Sequence, residues 1–201
     1  MLKHVRPALV LIVLFTILTG VIYPFAIWAF ATVVVPDRAG GSMITRNGVV
    51  VGSSLIGQNF TSDKYFHGRP SATNTPDPKD PTKNIDAPYN AANSTGSNLG
   101  PTSQALVDRV KGDVEAFRKD GVEGPIPADA VTTSASGLDP EISPAYALLQ
   151  VARVAKARNL PEDKLRAFVM ALTNGRILGF IGEPRVNVLE LNLELDRLTP
   201  S

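Results

Sequence analysis

No charged side chain interrupts the chain between Pro7 and Val35, and that run constrains the fold more than any other feature of the sequence. About twenty apolar residues in a helix cross the hydrocarbon core of a bilayer, so the run is long enough to cross with some tilt. Its middle, Ala8-Leu9-Val10-Leu11-Ile12-Val13-Leu14-Phe15, is apolar on every side, whereas a helix lying on a soluble core shows a polar face at the helical period. A cleaved signal peptide has a shorter apolar region before a small-x-small site. Ala29-Phe30-Ala31 offers such a site, but Tyr23, Pro24 and Trp28 punctuate the run as expected where a retained helix meets the interface. The reading is a membrane anchor over residues 7–35. Pro24 is expected to distort its last turns. Thr16, Thr19 and Gly20 read equally well as a close-approach face for another helix or as spacers facing lipid.

Lys3 and Arg6 precede the run, and Arg38 and Arg46 follow it, so positive charge alone barely sets the orientation. The compact basic cluster Lys3, His4 and Arg6 favours a cytoplasmic amino end over residues 1–6. Residues 36–201, long enough to translocate regardless of charge, then form one extracytoplasmic domain. A net charge of +1 with scattered Lys and Arg leaves no footprint for nucleic acid. Zero cysteines exclude disulfides, iron-sulfur clusters and thiol catalysis.

Within the domain, Asn47-Gly48 between two apolar runs predicts a hairpin. Aromatic residues interleaved with Gly, Gln, His and Arg from Leu55 to Ser71 predict a packed loop. Pro76, Pro78, Pro81 and Pro88 predict an extended surface excursion over residues 72–92. A helix is expected from about Thr102 to Lys119 with Leu106, Val107, Val110, Val114 and Phe117 as its apolar stripe. Ser143-Pro144 is an N-cap and first-turn pair, Asn159 a stop, and Pro161 with Glu162 and Asp163 the start of a further helix whose Leu165, Phe168, Val169 and Leu172 face the core. Strict alternation of Leu189, Leu191, Leu193 and Leu195 with polar residues predicts a half-buried strand. The fold class is α+β, one amino-terminal transmembrane helix followed by a single mixed domain.

Chemistry is thin. His67 is the one histidine of the domain, with no second histidine or cysteine there to complete a zinc site. No serine sits in a Gly-x-Ser-x-Gly elbow. Glu162 and Asp163 suit a first helical turn better than an acid and base pair. No catalytic, cofactor-binding or metal-ligating residue is assigned. What remains is a set of uncharged polar loops that either recognise another protein surface or hydrogen-bond one another.

The blocks Leu55-Ile56-Gly57-Gln58-Asn59-Phe60-Thr61, Tyr65-Phe66-His67-Gly68-Arg69-Pro70-Ser71-Ala72, Tyr89-Asn90 and Gly96-Ser97-Asn98-Leu99 closely resemble the C subunit of the bacterial Kdp potassium-transporting ATPase. Ser134-Ala135-Ser136-Gly137-Leu138-Asp139, Arg153-Val154-Ala155-Lys156-Ala157-Arg158-Asn159-Leu160 and Val186-Asn187-Val188-Leu189-Glu190-Leu191-Asn192-Leu193 follow that family in order and spacing, as does the anchor with Arg6-Pro7-Ala8-Leu9 and Thr19-Gly20-Val21-Ile22-Tyr23-Pro24. Pro76 to Ala87 is longer than is usual for it. The resemblance implies a non-catalytic, single-pass inner-membrane subunit of an ATP-driven potassium importer. Its implied partners are a channel-like potassium-binding subunit, a P-type ATPase subunit and a small membrane peptide, with ATP and K+ handled by the complex. It also implies a role as catalytic chaperone that raises the ATP affinity of the pumping subunit. The expected partner contacts are Gln58, Phe60, Tyr65, Phe66, His67, Arg69, Tyr89, Asn90 and Asn98. The alternative is a signal-anchored periplasmic enzyme or solute-binding domain.

Overall fold

A computed structural model describes residues 2–198, so Met1 and the last three residues of the expected domain lie outside the described residues. The chain divides into two compact units, 1–53 and 54–201. In the first, the apolar run forms helices α1 (Val5–Ile17) and α2 (Tyr23–Val34), joined without a break by a wide π turn, Leu18–Ile22. Pro24 supplies the physical reason for that turn. It has no N–H to donate to the carbonyl four residues back, and its ring crowds that carbonyl. The Thr19 hydroxyl donates to Phe15 O at 2.7 Å, so it is satisfied within its own helix. Together Val5–Val34 make one helix long and apolar enough to cross a membrane. A short α3 (Pro36–Ala39) leads to the antiparallel hairpin β1 (Met43–Arg46) and β2 (Val49–Ser53). Its turn is Asn47-Gly48, with φ of +53° and +79°, as the Asn-Gly pair predicts.

The second unit begins in coil and contains the core. The proline-rich excursion is more regular than its sequence suggests, because β3 (Asn74–Pro76) pairs with β4 (Asn84–Asp86). Pro76 falls at the strand end, Pro78 and Pro81 in the connection and Pro88 beyond β4, where no ladder donor is needed. Inside that connection Asp80 accepts from the Thr82 N–H and hydroxyl. Next come α4 (Gln104–Lys119) and α5 (Ala128–Val131), with Val110, Val114 and Phe117 of α4 packed on the core. β5 (Glu141–Ile142) precedes α6 (Pro144–Leu149), capped as expected by the Ser143 hydroxyl accepting from Tyr146 N at 3.0 Å. After α6 come α7 (Val151–Arg158), stopped by Asn159 in the left-handed conformation, and α8 (Glu162–Ala171) with Leu165 and Val169 buried.

The expected strand at Leu189 is instead a helix. Only β6 (Val186–Asn187) pairs with β5, and α9 runs Val188–Leu198. The buried positions Val188, Leu191, Asn192 and Leu195 follow the i, i+3, i+4, i+7 stripe of a helix, and the leucine alternation hides it because one position of the stripe is an asparagine. Leu and Glu are strong helix formers, and the Asn187 side chain accepts from Glu190 N at 3.1 Å, capping the first turn. The chain is mixed α+β. Its described strands form three separate two-stranded ribbons, one in the first unit and two in the second, and the core of the second unit is built mainly from α6 to α9.

Candidate functional site

The segment Gly57 to Ser71 runs as irregular chain, yet where it enters the core at Phe66 and His67 its backbone groups are partnered. Two buried amides do this. Asn192 Oδ1 accepts from Phe66 N and its Nδ2 donates to Phe66 O, both at 2.9 Å. Gln150 Oε1 accepts from His67 N at 2.7 Å and its Nε2 donates to His67 O at 3.0 Å. Each side chain thus replaces one residue of a missing neighbouring strand, and a buried backbone segment needs such partners.

Two arginines lock the preceding turn. Arg153 donates to Asp63 O at 2.9 Å, Tyr65 O at 3.0 Å and Gln150 Oε1 at 2.7 Å. Arg158 donates to Lys64 O at 2.7 Å and to Asp196 Oδ1 at 2.7 Å, and its guanidinium lies 4.9 Å from the centre of the Tyr65 ring. The Tyr65 hydroxyl completes the set by donating to Asp196 Oδ2 at 3.2 Å. The Arg158 and Asp196 side chains are only 5% and 15% exposed, so this is a largely desolvated ion pair.

Further along, Arg69 pairs with Asp139 at 3.0 Å and donates to Thr133 O at 3.3 Å. Tyr89, held at φ +62°, donates its hydroxyl to Arg69 O at 2.8 Å. Gly68 is required there, since a Cβ would stand 2.1 Å from the Tyr89 hydroxyl; at Gly57 one would stand 2.4 Å from the same ring. Burial raises the phenol pKa of Tyr89, and pushes that of Tyr146 up to about 12. Asn90 donates to Asn74 O at 2.8 Å and accepts from Ala92 N at 3.1 Å, closing the loop at the base of β3.

Among the sequence-derived contact candidates, Phe66 is corrected: it is 0% exposed in the core and cannot face a partner. Its neighbours Tyr65 and His67 are only half-buried, and the sequence offers no sign of which aromatic turns in. Gln58, Phe60, Arg69, Tyr89 and Asn90 are half-buried too, and Asn98 is exposed. Phe60, His67, Arg69 and Tyr89 share the lining of one groove of about 480 Å³. Sequence reasoning missed Gln150, Asn192, Arg153, Arg158 and Asp196 as the residues that hold the loop.

His67 is the group of this site with chemistry near neutral pH. Its Nε2 lies 3.1 Å from Ser62 O. Burial first, and then the Arg153 charge, lower its pKa, against the opposing pull of the Ser62 carbonyl and Asp63. The unfolded chain therefore takes up this proton before the folded one. The neutral-histidine contribution to stability is complete above the ordinary value of 6.5 and is lost as pH falls below it toward the folded pKa. Thermal melts of the full chain in detergent should show a larger drop between pH 7.5 and 5 for the wild type than for His67→Gln; equal drops would contradict the assignment. Among the described residues no group of three or more His, Asp or Glu side chains is placed to hold a metal ion.

One helix long and apolar enough to cross a membrane is carried in the same chain as a mixed domain whose polar loops are bound by its own helices. The chain belongs to the KdpC family, the c chain of the K+-transporting ATPase, whose family model matches residues 5–197. It is 62% identical over 198 residues to the potassium-transporting ATPase KdpC subunit of Methylobacterium nodulans, covering 98% of each chain. It is 59% identical over 199 residues to that of Rhodopseudomonas palustris strain BisB5, covering 99% of each, and 58% identical over 197 residues to that of Bradyrhizobium diazoefficiens, covering 98% of each.

Proposed function

We propose that the chain is the accessory subunit of a high-affinity, ATP-driven potassium import complex. It works beside a channel-like potassium-binding subunit, a P-type ATPase subunit that hydrolyses the ATP, and a small membrane peptide. The observation that carries this reading is that a single family match runs through both the apolar helix and the domain, so anchor and module belong to one functional unit. The amino end, residues 1–6, lies in the cytoplasm; the helix crosses the inner membrane; the domain stands outside and needs no cofactor of its own.

In that arrangement the domain is separated from cytoplasmic ATP by the bilayer. Raising the ATP affinity of the pumping subunit is then a coupling through the assembly, of a size that for two linked sites is typically about 5- to 150-fold. The groove lined by Phe60, His67, Arg69 and Tyr89 is the surface offered to the potassium-binding subunit, and the buried amides behind it keep its shape.

The test is deletion of this chain in cells that depend on the pump for potassium. Growth at limiting potassium should be lost and restored by the full chain in trans. Undiminished growth without it would overturn the reading.

A further inference from the structure

The segment between α8 and β6 forms a second hairpin that the core does not use. Asn174 pairs with Arg185 at its base and Ile177 with Ile181 near its tip. Phe180 N donates to Ile177 O at 3.3 Å across a turn in which Leu178 and Gly179 have φ of +54° and +82°. The two φ values match those of the Asn47-Gly48 turn, +53° and +79°, with leucine in place of asparagine. Asparagine is at home at that left-handed position, and a bulky apolar residue is an outlier there. The fold gains nothing from the leucine, which is 79% exposed, with Phe180 at 72%, Ile177 at 55% and Ile181 at 48%.

We infer that this apolar tip is a docking element that seats in a neutral, apolar recess of another protein subunit. Charge decides against a lipid surface. Arg176 is faced by Glu183 at 2.6 Å and Arg185 by Glu141 at 2.8 Å, and no lysine lies between Asn174 and Arg185. A loop that inserts among anionic headgroups presents uncompensated Lys or Arg. Here the exposed Arg176 is met by the Glu183 carboxylate instead. Exposed contiguous apolar patches mark protein or membrane contacts, and the paired charges of this hairpin favour the protein. Leu178 and Phe180 are the anchors, and Ile177 and Ile181 exclude water around them.

The inference rests on the subunit reading and is tested in the whole complex. The full chain carrying Leu178→Asn, Phe180→Ser or both is co-expressed with the other pump subunits, and its retention is measured after purification through a tag on the ATPase subunit. Leu178→Asn removes an anchor while placing a favoured residue at φ +54°. It should therefore leave the melting temperature of the free chain unchanged or raised. The double variant should be retained about tenfold less well or worse.

Retention equal to wild type overturns the inference while leaving the subunit reading intact; a wild-type chain that fails to co-purify overturns both. A Phe180→Trp, Trp28→Phe chain whose fluorescence is quenched by brominated acyl chains in phosphatidylcholine vesicles would assign the tip to lipid and overturn it. Crosslinked dimers of the isolated chain that disappear in the double variant would assign the tip to a second copy, and that result overturns it equally.

Discussion

Replacing Asn192 by Leu is expected to destabilise the folded domain by about 2–6 kcal/mol, because the N–H and C=O of Phe66 would both lose their partners at a buried position, at about 1–3 kcal/mol each. The two shapes are similar, so the loss comes from hydrogen bonding more than from volume. Asn192 is 1% exposed, which leaves no route for water to take over either bond. For a chain of this size the melting temperature should fall by roughly 5–20 °C. Asn192→Asp keeps the acceptor for Phe66 N but turns the donor into a second acceptor facing Phe66 O, so it should be no better than Leu. Thermal unfolding of the full chain checks both. A melting temperature for Asn192→Leu within a degree or so of wild type would show that the amide does not hold the loop.

The second large effect is expected at Arg158. Removing its side chain takes away the cation that faces Asp196, a carboxylate 15% exposed, along with the donor to Lys64 O and the guanidinium over Tyr65. Breaking one side of a buried pair costs about 3–5 kcal/mol, because the other charge stays desolvated. Replacing both partners by apolar residues of similar volume is often nearly neutral. The expected pattern is therefore a strongly destabilised Arg158→Ala, with Arg158→Met combined with Asp196→Leu recovering most of the loss. Denaturant unfolding of both, with Arg158→Met and Asp196→Leu alone for reference, measures it, and a double variant as unstable as the sum of those two singles would contradict the pair.

These two sites also mark how far the sequence could be read. The apolar run, the Asn-Gly hairpin, the Ser143 cap, the Asn159 stop and the core face of α8 depend on neighbours along the chain, and all were legible. The helix at Val188 was not, because Asn192 sits on its buried stripe for the sake of Phe66, 126 residues away. Dropping that one polar residue from the apolar set turns a helical period into an apparent alternation. The same pairing explains the motif around Phe66. Residue types showed that its polar groups had work to do, but whether they bind a partner or their own helices depends on contacts between Tyr65, Gln150, Arg153, Arg158 and Asp196, which no local pattern reveals.

The proposed function, that of an extracytoplasmic accessory subunit, depends on which side of the membrane the folded module stands. Protease added to intact spheroplasts tests this most directly, followed by detection of the amino-terminal fragment. Digestion of the module with the helix left protected in the membrane is the predicted result; a module that withstands the external protease and is cut only after lysis would contradict that placement and the function built on it.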